Sequence, residues 1–263
     1  ASSRDEAMLN LSIPSVEIRV LLAIVLRLSI VFVMLPFFGG VQVPRTIKIF
    51  AILALSAMIY FLPGTALKPL SLDPIELVRV VMGEFVFGVV LGLSLLIVFG
   101  AFQLAAEMIS FQMGFGFAQA VDPQSGTQVP LVSGWFQVVA MLILLSSNGH
   151  HVILKALVES FTRVPVGGFV LGADTVQQVL GFSVQLFVLG MKIAAPVTIS
   201  ILLAHMGLGL INKFAPQINI LVASFPVTIL VGFLLLGASV SVWGIAMRDS
   251  LLRFSQVLRV FFQ

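Results

Sequence analysis

Charge is scarce in this chain: Asp, Glu, Lys and Arg make up 10% of its 263 residues, against about 25% in soluble domains. Cysteine is absent, which excludes disulfides, thiolate metal sites and a cysteine nucleophile. The three histidines form no metal-ligand spacing. His150 and His151 are adjacent and on a helix point about 100° apart, a poor chelating geometry, and His205 stands alone. No phosphate-binding glycine loop, serine elbow or paired carboxylates in a credible pocket is found. The expectation is therefore a protein with no cofactor, no metal and no catalytic residues. The formal charge of +3 and the pI near 9.7 rest on few ionisable groups. With no basic run interleaved with aromatics, they read as a topological bias of membrane loops and exclude nucleic acid as a partner.

Apolar residues take the place of the missing charge, at 59% of the chain with a mean hydropathy of +1.16. A soluble fold of this size could not hide that much apolar surface, so membrane lipid is the expected solvent. Ile49–Leu67, Phe85–Ala106, Ile193–Asn212 and Phe214–Met247 carry no charge, and each is near or beyond the roughly 20 residues a spanning helix needs. In lipid the backbone must satisfy its own hydrogen bonds, which leaves helices or a closed barrel. Barrel strands alternate polar and apolar residues, whereas these runs are apolar throughout. The fold class is all-α, a polytopic membrane protein.

One membrane domain over 1–263 with no linker is expected, its residues 1–7 a polar leader; that leader lacks the apolar stretch of a signal peptide, and Met8 is a candidate native start. A first helix is predicted over Ile18–Phe38, with Arg19 and Arg27 near its start and a break at 39–44. A second follows over Thr46–Leu62, then a loop over Thr65–Pro74. Ile75–Ser110 reads as one long helix and Phe111–Pro130 as a loop. Leu131–Ser147 is helical, Asn148-Gly149 interrupts, and a helix resumes to Phe161. Pro165–Gly172 is a loop, and Asp174–Gln263 is helical with breaks near Pro196, Pro216 and Pro226. A six-span count places Arg4, Arg19, Lys68, Arg79, Lys155, Arg163, Arg248, Arg253 and Arg259 on one side and Arg45, Lys48 and Lys213 on the other, which would put both tails in the cytoplasm. Three segments fit plain spans poorly: Ile75–Ser110, Thr175–Asn212 with Lys192 inside it, and Phe214–Met247. They read as hairpins or broken helices buried in protein.

Within this frame a few residues stand out. Glu107 is a carboxylate closing an apolar run, costly enough to need a purpose: a proton relay, an ion ligand, or a hydrogen bond to a neighbouring element. Glu84 is a second candidate for such a role, the other reading being that from its place near the charged loop it simply reaches water. Met113-Gly-Phe-Gly-Phe alternates bulky apolar side chains with glycines, a sequence suited to a folded apolar plug as well as to a packed loop. Gly88, Gly92 and Gly100 share one face of the long helix and mark a close helix–helix seam. Asp122-Pro-Gln-Ser-Gly reads as a turn before a helix, and Asn148-Gly-His-His as a polar cap. A small-solute secondary transporter is the alternative reading of the broken helices.

Taken in order, Val43-Pro-Arg-Thr-Ile-Lys, Ala106-Glu-Met-Ile-Ser-Phe-Gln-Met-Gly-Phe-Gly-Phe-Ala, Val121-Asp-Pro-Gln-Ser-Gly, Ser147-Asn-Gly-His-His, the Ser160–Pro165 stretch, Gly209-Leu-Ile-Asn-Lys-Phe-Ala-Pro-Gln-Ile-Asn and Phe225-Pro resemble the FliR family of flagellar and type III secretion export-gate membrane proteins. The resemblance covers nearly the whole chain. It implies a fold like one FliP joined to one FliQ, and a single-copy subunit of a gate in the bacterial inner membrane, within the flagellar basal body. The implied partners are FliP-like and FliQ-like subunits, an FlhB-like switch protein and unfolded flagellar export substrates. Phe111, Met113, Gly114, Phe115, Gly116 and Phe117 would then belong to the plug of the closed pore. Glu107 and Asp122 would brace it, with Asn148, His150, Gln217 and Asn219 in structural polar contacts, the last two in a helix break packed against partners.

Overall fold

A computed structural model describes residues 15–35, 43–62, 73–115, 131–217 and 219–261. All regular structure among them is helical: α1 (Ser15–Met34), α2 (Arg45–Tyr60), α3 (Pro74–Gln112), α4 (Leu131–Ser146), α5 (Gly149–Arg163), α6 (Ala173–Phe214) and α7 (Ile220–Phe261). The all-helical membrane fold predicted from the apolar runs is the one observed. Among the described residues, three helices, α3, α6 and α7, are long and apolar enough to cross a membrane, or four spans if the bent pair α4–α5 is one. The segments expected as hairpins or broken helices are single helices there, of 39, 42 and 42 residues.

Prolines 196 and 226 do not break the chain as expected; each lies inside a continuous helix. A proline removes one N–H, here the donors to the carbonyls of Lys192 and Val222, and crowds the preceding turn. One turn on, Ser200 Oγ donates back to Pro196 O at 2.8 Å, so that its hydroxyl is satisfied within the helix. The break falls only at Pro216, where Ala215–Gln217 form a turn and α7 restarts after Asn219. Asn219 Oδ1 accepts from Val222 N at 3.4 Å, capping the new helix.

Two compact units are built from these helices, 1–93 with 156–173 and 262–263, and 94–155 with 174–261. In the first, α1 buries Val20, Ile24, Arg27, Leu28 and Val31, a stripe at helical spacing. Gly88 and Gly92 of α3 lie against it: a Cβ on Gly88 would stand 3.1 Å from Ile30 Cβ, and one on Gly92 3.0 Å from Met34 Cβ. In the second, Trp243, Met247, Leu251 and Phe254 form the buried stripe of α7. The Trp243 ring stacks on Phe136 of α4 with centroids 4.7 Å apart. Gly100 is here too, facing Leu186 of α6, while Gly190 of α6 faces Ala101 and Leu104.

Candidate functional site

At the end of α3 the chain turns where the loop was predicted, two residues later than expected. Met113 N still bonds Ile109 O at 2.9 Å, and Gly114 N closes a tighter turn on Phe111 O at 3.1 Å. Gly114 has φ +92°, a conformation in which an L side chain is strained. The Phe225 ring of α7 also leaves no room there, since a Cβ would lie 2.6 Å from its Cδ1. Met113 is fully buried and its side chain fills the space over Gly232. Its carbonyl, at the level where a helix runs out of backbone donors, lies 3.2 Å from the buried Thr228 Oγ1.

The plug residues thus divide. Met113 and Gly114 are packed against α7, Phe111 is 76% exposed and Phe115 is half-buried. Gly116, Phe117 and Asp122 lie outside the described residues. Glu107 is exposed and accepts from Gln103 Nε2 of its own helix at 3.1 Å. Its placement gives it a partner one turn back on α3.

The other predicted polar residues mark bends. Asn148 has φ +56°, which asparagine tolerates better than most residues. It turns the chain through the 71° angle between 134–146 and 149–163. His151 N bonds Asn148 O at 3.0 Å. His150 is half-buried with its ring 4.2 Å from that of His151. Gln217 is exposed in the turn before α7.

A densely satisfied buried polar group among the described residues joins two residues that the sequence reading did not pair. Arg27 is not near the start of its helix, because α1 begins at Ser15, and Glu84 does not reach water. Both are completely buried and paired in the first unit. Arg27 Nε donates to Glu84 Oε2 at 2.6 Å and Nη2 to Glu84 Oε1 at 2.8 Å, the bidentate geometry that suits a guanidinium to a carboxylate. Its Nη1 reaches Ser160 O at 3.2 Å and Val164 O at 3.3 Å. Gly167 N donates to Glu84 Oε1 at 2.9 Å. Phe87 and Phe161 place their rings 4.5 and 4.1 Å from the guanidinium carbon, adding cation–π attraction. The signal was available: an arginine and a glutamate embedded in two apolar helices need each other.

Long apolar helices, an ion pair sealed inside one unit and an apolar turn at the end of a 39-residue helix define a helical membrane protein. Residues 18–254 match the family model described as bacterial export proteins, family 1, and the chain belongs to that family. It is 34% identical over 229 residues to the flagellar biosynthetic protein FliR of Aquifex aeolicus (strain VF5), covering 87% of this chain and 88% of that one. It is 32% identical over 232 residues to the flagellar biosynthetic protein FliR of Bacillus subtilis (strain 168), with coverage of 87% and 88%. With the protein of the same name from Escherichia coli (strain K12) it shares 31% over 208 residues, 77% of each chain.

Proposed function

We propose that this chain is a structural and gating subunit of the flagellar protein export gate in the bacterial inner membrane, within the flagellar basal body. With FliP-like and FliQ-like subunits it forms the channel that passes unfolded flagellar proteins, and an FlhB-like protein sits at the entrance. The observation that carries this reading is the apolar turn after α3, whose root is fixed against α7 while Phe111 faces outward, in a chain whose relatives are flagellar biosynthetic proteins. An apolar ring closes a pore by excluding water and ions, and Phe115 and Phe117 supply its side chains. Chemistry is not required of such a part.

Native mass spectrometry of the chain coexpressed with the genes that neighbour it tests the assembly. One copy with several copies of two smaller membrane proteins is expected. A lone chain or homodimer binding a small solute would overturn the reading. The gate itself is tested by conductance: Phe115→Ala with Phe117→Ala should make the resting complex leak ions severalfold above the parent. Unchanged conductance in a fully assembled complex removes the plug assignment.

A further inference from the structure

We infer that Phe225, Thr228 and Gly232 of α7 form a seat that positions the root of the plug loop, so that the closed state is set by α7 as well as by the plug side chains. The inference rests on the plug reading above. The three residues are spaced three and four apart, which puts them on one face of the helix. Each holds a different part of the same turn. Phe225 covers Gly114, where a Cβ would stand 2.6 and 2.7 Å from two ring carbons. Thr228, itself 2% exposed, offers its hydroxyl to Met113 O at 3.2 Å; Ser224 O and Phe225 O, both at 3.1 Å, compete for the one proton. Gly232 leaves the volume that the Met113 side chain fills, with a Cβ there 2.6 Å from Met113 Cγ and 2.7 Å from its Sδ.

The arrangement ties the turn from ring, carbonyl and side chain at once, and the residues immediately following are the proposed plug. A turn held at three points has one position, and a turn released from them carries Phe115 away from it. Pro226 lies within the seat, where it withholds the N–H that would bond Val222 O. That missing bond makes the first turns of α7 the softest part of the seat, and a shift there moves Phe225 off Gly114.

The test exchanges volume between Met113 and position 232 in the assembled complex, with ion conductance at rest and subunit composition both read. Gly232→Ala should leak measurably but less than Gly232→Leu, because its Cβ meets Met113 from Cγ to Sδ and forces a smaller shift of that buried side chain. Gly232→Leu expels Met113 and should leak about as much as Phe115→Ala with Phe117→Ala. Met113→Ala combined with Gly232→Leu returns the volume and should close the leak. Thr228→Val keeps the shape, removes the hydroxyl and should raise the leak severalfold, giving a second reading if Gly232→Leu fails to assemble. If the double phenylalanine variant leaks while Gly232→Leu and Thr228→Val assemble and stay tight, the seat is wrong and the plug stands. If the phenylalanine variant is also tight, the plug reading falls and the seat with it. A Gly232→Leu leak that Met113→Ala does not reduce also overturns the seat, because the damage then lies elsewhere.

Discussion

Replacing Glu84 with leucine is expected to destabilise the first unit by about 3–5 kcal/mol, the usual consequence of leaving one member of a buried pair behind. Arginine stays charged at any accessible pH, so Arg27 would remain a cation among Phe87, Phe161 and apolar helix, with the Ser160 and Val164 carbonyls and the Ser160 hydroxyl but no carboxylate beside it. Arg27→Met strands Glu84 in turn, without the guanidinium that engages both its oxygens, and should be destabilising as well. The double variant should recover most of the loss, because well-packed apolar side chains often replace a buried pair at little cost. It would still leave Val164 O and Gly167 N without their side-chain partners, about 1–3 kcal/mol for buried groups. Hydrogen exchange of the purified chain in mild detergent, read on α1 and on residues 164–170, measures this. Full protection in Glu84→Leu, or a double variant as labile as the two losses added, would sink the account.

The second large effect lies in the other unit. Trp243→Ala should cost about 3–5 kcal/mol, the range for deleting a large aromatic from a core, because Trp243 is 1% exposed and stacked on Phe136. Trp243→Phe should cost clearly less than the alanine variant, because it keeps a ring on Phe136 and leaves a smaller cavity. Its indole N–H is buried without a hydrogen-bond partner among the described residues, so phenylalanine removes a donor that the core does not use. Helix content followed against temperature separates the two variants. Equal losses would mean that the indole ring edge, rather than stacked area, holds α4 to α7.

The helices were legible in the sequence because nothing but a buried or lipid-facing helix accommodates such uncharged runs. Their prolines misled, since the rule that proline ends a helix assumes water or a loop as the alternative. At Pro196 and Pro226 packing and lipid favour a helix lacking one bond over a break exposing several. The elbow at Asn148 was visible as punctuation, and its positive φ explains the residue chosen. Arg27 and Glu84 each showed as a charge inside an apolar helix, which signals a need for some partner, but which partner was not legible, because the two stand 57 residues apart and one sequence gives no register between α1 and α3. The seat for Met113 was hidden for a related reason. Gly232 carries no chemistry of its own, and only the side chain opposite gives it meaning.

At about 1.5 Å per residue, the 42 residues of α6 make a rod of about 63 Å, and even tilted by about 40° it projects roughly 48 Å against a hydrocarbon layer of about 30 Å. Exposed apolar side chains run along nearly all of it, from Val176 and Leu180 to Ile211 and Phe214. Lipid alone therefore cannot cover this chain. Newly made and unaccompanied, it shows water the kind of greasy surface that chaperones hold and membrane proteases clear.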